Sequence, residues 1–250
     1  MSPLPPLIAA LLLLGACAGR PPAGDADALA EYQTNNDPIE PTNRFFYRIN
    51  DGLDTYFLAP IARGYRYAVP GAVRRPIHNV VANITTPVIF ANDVLQAKPR
   101  RAGDSMMRFL INSTAGVGGL FDVATSLGYP EHDSGFGTTL ALWGVGEGPF
   151  LFLPVLGPSN PRDAAGFAGN ILLDPLTFAT FGGSHTLGIA RYGTSAVDAR
   201  ERALDPIDNI KKSALDPYAT FRSLYRQNRQ SEIDARRAPD TATVPAWFNR

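Results

Sequence analysis

The sequence predicts a mainly α, single-domain protein assembled from short amphipathic helices with little strand. Three observations carry that prediction. Through most of the chain, apolar residues recur at helical rather than alternating spacing. The 22 prolines are spread along the sequence and, with 23 glycines, punctuate it into short segments. Beyond residue 17 no stretch approaches the roughly 20 apolar residues that a membrane-spanning helix needs. The most apolar run, Phe150 to Leu156 (FLFLPVL), holds a proline.

The first segment is not part of the body. Leu7 to Leu14 (LIAALLLL) is too short to span a bilayer but suits the apolar region of a secretory signal, so residues 1–16 read as a signal peptide. Small residues then lead into the chain's single cysteine: Leu14-Gly15-Ala16-Cys17 resembles the bacterial lipobox, in which the thiol carries a diacylglyceryl group. The segment before it, MSPLPP, has no Lys or Arg, which departs from an ordinary signal. More than one acyl chain gives stable anchoring where one does not. The residues after Cys17 are Ala18 and Gly19 rather than Asp, which places the anchor in the outer membrane, on the periplasmic side. Residues 17–36, rich in Gly, Pro, Ala and Asp, read as the lipidated N-terminus and a flexible linker.

The body then spans 37–230. From Thr42 the residues Phe45, Phe46, Ile49, Leu53, Tyr56 and Phe57 form a helical stripe, suited either to a core or to a helix lying in a membrane interface. A second helix starts near Pro70, with Val73, Ile77, Val80, Val81 and Ile84 on one face. Pro87 is expected to break it, leaving Val88–Gln96 as a separate short helix. Residues 101–112 read as a fourth helix, ended by Gly116, Gly118 and Gly119. A Gly-rich region, 132–148, holds one apolar helical turn. The apolar runs around Pro149 and Pro154 predict a hairpin or a buried extended segment. Asp163–Leu173 and Leu187–Leu204 are helical again, and Asp216-Pro217-Tyr218 opens a last amphipathic helix with proline at its start. Residues 231–250 read as a mobile tail.

Composition narrows the chemistry. Zero formal net charge and a pI near 6.8 argue against nucleic acid as a partner. No cofactor or metal motif is present: Gly144-Val145-Gly146-Glu147-Gly148 lacks the Lys-Ser/Thr of a phosphate-binding loop, and zinc-type spacings are missing. No G-x-S-x-G elbow occurs, and His132-Asp133-Ser134 in a row do not make a triad, whose members converge from distant positions. The reading is therefore a binding or transport protein rather than an enzyme.

Four stretches, in order, resemble the MlaA/VacJ family of outer-membrane lipoproteins. They are Asn36-Asp37-Pro38-Ile39-Glu40-Pro41-Thr42-Asn43-Arg44, then Arg108 to Thr114 with Gly118 to Ala124. Phe136 to Leu140 follows, with Trp143 to Gly146 and Leu153 to Ser159; Leu215-Asp216-Pro217-Tyr218 comes last. The resemblance covers about residues 36 to 230, with small departures such as Thr42. It implies a ring of helices in the inner face of the outer membrane, a polar channel through the middle, and a porin trimer around it. It also implies a role, the removal of phospholipids misplaced in the outer leaflet and their transfer to a periplasmic lipid carrier. The alternative is a structural lipoprotein that braces porins without moving lipid.

Cys17 is the expected lipid attachment site. Arg44, Arg48 and Arg108 are candidates to meet lipid phosphates, against the plainer reading of surface or ion-paired arginines. Gly116, Gly118 and Gly119 are candidates for a flexible turn beside the channel, against the plainer reading of tight turns.

Overall fold

The computed structural model describes residues 35–180 and 182–238. The expected signal peptide, Cys17 and most of the expected linker lie outside the described residues. The body is helical, with one small hairpin as its only strand structure among those residues. In chain order the elements are α1 (Glu40–Leu53), a single π-helical turn (Asp54–Leu58), α2 (Ala59–Ala68), α3 (Gly71–Leu95), α4 (Pro99–Thr114) and the short α5 (Val123–Ser126). Then come α6 (Phe136–Leu142), β1 (Leu151–Leu153), β2 (Gly157–Ser159), α7 (Pro161–Leu173), the short α8 (Pro175–Phe178), α9 (Ser184–Arg202), α10 (Leu204–Ser213) and α11 (Pro217–Arg237).

Prolines fit into so helical a chain because many stand in the first turn, where the missing N–H is not needed. Pro41, Pro60, Pro99, Pro161, Pro175 and Pro217 all occupy such positions. Three of these helices are also capped by the residue before the proline. Asn160 accepts from the Asp163 N–H (2.8 Å), Asp174 from that of Leu176 (3.0 Å), and Asp216 from that of Ala219 (3.1 Å).

Pro87 does not end its helix as expected: α3 runs 25 residues through both Pro76 and Pro87. A proline in a helix interior costs a hydrogen bond and crowds the carbonyl four residues back. Here the adjoining turn is braced by hydroxyls, Thr85 donating to the Val81 carbonyl (2.9 Å) and Thr86 to that of Ala82 (3.0 Å). The helix also packs extensively along α4, and that tertiary packing outweighs local propensity. At the other end of the chain, α11 continues to Arg237, so residues 231–237 belong to the ordered body and not to the tail. Buried Ile233 and Arg236 explain why.

One end of the molecule has a conventional core. Phe150, Phe152 and Tyr218 are buried together, with Phe46, Tyr47 and Tyr225 packed around them, several in edge-to-face pairs. Two asparagines tie α1 to the hairpin strand. Asn43, fully buried, donates to the Phe150 carbonyl (2.9 Å) and accepts from the Phe152 N–H (2.9 Å). Asn50, two turns on, donates to the Leu153 carbonyl (2.7 Å) and accepts from the Val155 N–H (2.8 Å). A side-chain amide carries both donor and acceptor and so substitutes for a neighbouring strand. Buried Asp37 completes this clasp, bonded by the Tyr218 hydroxyl, by Arg222 (2.8 Å) and by Asn43 (2.7 Å).

Elsewhere the usual partition is reversed. Among the described residues, buried polar and charged side chains outnumber buried hydrophobic ones by about two to one, while many large hydrophobics face outward. Helix α4 shows the pattern: Ser105, Arg108 and Asn112 are buried, and Met106, Met107 and Leu110 are exposed. On α3 the buried set is Asn83, Thr86, Asn92 and Asp93, with Val88. Along α1 and α2 the exposed stripe is Phe45, Ile49, Leu53, Phe57 and Ile61, every fourth residue. In an α-helix each step of four overshoots a full turn by about 40°, so such a stripe would wind around the cylinder. The π-helical turn at Asp54–Leu58, with more residues per turn, takes back part of that drift. No helix among the described residues is long and apolar enough to cross a membrane.

Candidate functional site

The polar interior opens into a cavity of about 400 Å³ between α3, α6, α7, α9 and α11. Small residues let these helices approach: a Cβ on Gly166 of α7 would stand 2.4 Å from the backbone nitrogen of Gly137 on α6, and one on Gly169 would strike the Phe136 ring. Asn170 then fixes the start of α6 to α3, accepting from the Phe136 N–H (2.9 Å) and from Asn92 (3.1 Å). Behind it Thr139 donates to Asn92 (2.8 Å), and Gln96 donates to Ser134 and Thr139 (2.9 Å each).

Charged groups line this cavity. Arg229 holds Asp163 in a two-pronged bond (2.8 Å each) and reaches Glu232 (2.6 Å). Burial by itself would push the Arg229 pKa down, but the bonds to Asp163 and Glu232 outweigh it and the guanidinium lies above its ordinary value. Burial likewise opposes ionisation of Asp163, yet Arg229 and the Tyr225 hydroxyl hold its carboxyl below the usual range. On the opposite wall Arg191 of α9 pairs with Asp174 and stacks over the Tyr192 ring, 4.6 Å from its centroid. Arg191 is only 7% exposed, and its Nη1 has no hydrogen-bond partner among the described residues.

A second cavity, about 710 Å³, adjoins the first and shares Asp174, Arg191 and Tyr192 with it. Its remaining wall is more apolar, including Leu176, Ala179 and Ile189. The pair forms two adjoining open clefts, the first the more polar and the second the more apolar, with Arg191 at the junction.

The residues singled out from the sequence do not meet here. Arg44 is in the clasp, bonded to Glu40 (2.7 Å) and to both oxygens of Asp216 (2.6 and 3.2 Å), and lies over the Tyr218 ring. Arg48 is exposed on α1. Arg108 is buried at a much smaller cavity of about 20 Å³, bonded to Thr125 (2.9 Å), to the Tyr129 carbonyl and to Asp122 (3.2 Å). The glycine turn closes against the same small cavity: Gly119 abuts Asn83, a Cβ on Gly116 would collide with the Phe121 carbonyl, and Val117, Gly118 and Gly119 all have left-handed backbone. The turn is thus tightly packed at Gly116 and Gly119, while Gly118 faces open space. His132 lies near Asp93 (2.8 Å) and Ser105 (3.1 Å), both through the same ring nitrogen, Nε2, so no proton relay runs through the ring.

Sequence reasoning missed Arg191, Asp174, Asn170 and Arg229. Two signals stood in the chain: the Asp-Pro start at Asp174-Pro175, and the small residues Gly166 and Gly169 three apart in a helix. Neither names a ligand.

With the geometry in place, similarity to known proteins adds a second line. A family model described as MlaA lipoprotein matches residues 35–232. A Rickettsia bellii protein with no function in its name is 37% identical over 198 residues, 79% of this chain and 76% of that one. The Haemophilus influenzae intermembrane phospholipid transport system lipoprotein MlaA is 32% identical, covering 91% of this chain and 88% of its own. Its Escherichia coli namesake is 30% identical, over 82% and 81% respectively. A solved structure described under "Structural basis for maintenance of bacterial outer membrane lipid asymmetry" superposes with a TM-score of 0.68 at 32% identity, covering 79% of this chain and 98% of that one.

Proposed function

The chain belongs to the MlaA lipoprotein family, and from that membership we propose that it removes phospholipids misplaced in the outer leaflet of the outer membrane and passes them to a periplasmic lipid carrier. The observation that carries this reading is the reversed partition, with polar groups buried around a cavity and large hydrophobics turned outward. Exposed apolar area on that scale suits a protein set in one leaflet, its greasy faces on acyl chains. Acylation at Cys17 holds it on the periplasmic face, and a porin trimer flanks it.

Energetics say why such help is needed. Drawing two acyl chains, about 30 CH₂ groups, into water costs roughly 25 kcal/mol at about 0.8 kcal/mol each. A barrier of that size corresponds to roughly 10⁻⁶ events per second. A protein that keeps the tails against apolar walls while the head group stays wet removes most of it. No bond is made or broken, so no catalytic residue is required, and direction comes from the acceptor.

The test is genetic. A strain lacking this chain accumulates outer-leaflet phospholipid and becomes sensitive to detergent, and the full-length chain restores both. An outer leaflet left unchanged by the deletion overturns the proposal.

A further inference from the structure

We propose that the 400 Å³ cavity selects zwitterionic phospholipid head groups, those pairing a phosphate with an ammonium, over anionic ones, and that Arg191 is the residue that takes the phosphate. This rests on the proposed function, in which phospholipid passes through the protein. Four carboxylates line the cavity, Asp133, Asp163, Asp174 and Glu232, against two guanidinium groups, Arg191 and Arg229. Arg162, buried behind the lining, also bonds Asp163 (3.3 Å), so the chamber is acidic by about one charge, with cations standing in its walls.

The two arginines are not equivalent. Arg229 spends its donors on Asp163, Glu232 and the Thr138 hydroxyl (2.9 Å). Arg191 pairs with Asp174 through Nη2, while Nη1 has no acceptor among the described residues although the side chain is almost wholly buried. A buried donor without an acceptor costs free energy, and an entering phosphate oxygen recovers it once the guanidinium turns to present Nη1 to the cavity. Arg191 also stands where the more polar cleft meets the more apolar one, the place where the phosphate of a lipid sits between head group and tails.

Beyond the phosphate, the head group meets carboxylates. Asp133 is exposed at the mouth of the cavity, where it accepts the Ser134 N–H (2.8 Å). An ethanolamine ammonium is attracted there. A glycerol head group brings the same phosphate charge with nothing to offset it, and the surplus carboxylates repel it. The tails distinguish a lipid from a soluble phosphate ester, since only the lipid occupies the neighbouring cavity.

The experiment uses the full-length lipidated chain in vesicles of phosphatidylethanolamine and phosphatidylglycerol, with a photoreactive residue at Phe167, which lines the polar cavity. Lipid adducts are identified by mass spectrometry after illumination. Phosphatidylethanolamine adducts are expected to exceed their share of the vesicle by about threefold or more. Arg191→Gln lowers adducts of both lipids about tenfold, the loss of one charge-assisted bond, and Arg191→Lys restores part of the yield. Asp133→Asn lowers phosphatidylethanolamine adducts and brings the adduct ratio towards the vesicle composition. Melting curves confirm that the variants are folded. Adducts that follow the vesicle composition and ignore Arg191→Gln overturn this inference and leave the transport reading standing. A wild-type chain that yields no lipid adduct at all overturns both.

Discussion

The clasp and the cavity are built on opposite principles. At the clasp, α1, the hairpin and α11 bury aromatic rings on one another, and each buried polar side-chain atom of Asn43 and Asp37 finds a partner. Around the cavities, α3, α7 and α9 bury charge and amide instead, and several atoms, among them Arg191 Nη1 and Asn83 Oδ1, find none among the described residues. The first arrangement is what stability requires; the second retains unmet hydrogen-bonding capacity that a packed core would not tolerate. The difference teaches where to look for function in an inside-out fold: not in the polar residues as such, but in those left incompletely satisfied.

Three changes sharpen that contrast. Tyr218→Ala should have the largest effect, since it empties the middle of the aromatic cluster and removes a donor from Asp37; a loss of about 3–5 kcal/mol is expected in denaturant titrations of the detergent-solubilised protein. A loss under about 1 kcal/mol would mean that the clasp is not the main source of stability. Gly166→Ala acts on the other side. Its methyl must push α7 from α6, costing about 1–3 kcal/mol and widening the cavity, which is read as faster proteolysis near residues 136–142 with the clasp intact. The third and smallest effect is acid loosening of both regions. Asp216 lies below its ordinary value because Arg44 bonds it, and Asp163 lies low because Arg229 and Tyr225 outweigh its burial. Depressed carboxyl values stabilise the fold above the unfolded value of about 3.9, and that contribution disappears as pH falls through the lower folded values. Melting temperatures should hold from pH 7 to about 5 and fall below about pH 4, less steeply in Asp163→Asn.

The same contrast governs what the sequence disclosed. Most helix positions were legible because periodicity and proline placement are local signals, though α2 and α10 were not, and the hairpin's first strand falls in the predicted apolar run with its partner, Gly157–Ser159, just beyond it. Helix α3 was not, because the packing and hydroxyl bonds that carry it through Pro87 come from the fold and the adjoining turn rather than from propensity. The family stretches were legible as patterns but not in their meaning. Asn36 to Arg44 and Leu215 to Tyr218 proved to be the two jaws of the clasp, where Arg44, a candidate lipid contact set against the plainer reading of an ion-paired arginine, is bonded to Glu40 and Asp216. Arg191 stayed hidden for a different reason. In the sequence it is one of several arginines in α9, and only the fold brings Asp174 and two cavities to it while Arg200 goes to Asp54.

The pair Asn43 and Asn50 has a consequence of its own. Seven residues of helix advance about 10.5 Å. Three residues of extended chain advance about 10 Å. The two amides therefore meet the strand at matching intervals, as teeth of equal pitch would. Single-residue insertions between them rotate the second tooth by about 100° and disengage it, whereas substitutions on the outward side leave the mesh untouched. Homologous chains can vary freely in letters along the outward side of α1, but its length between those two positions is locked.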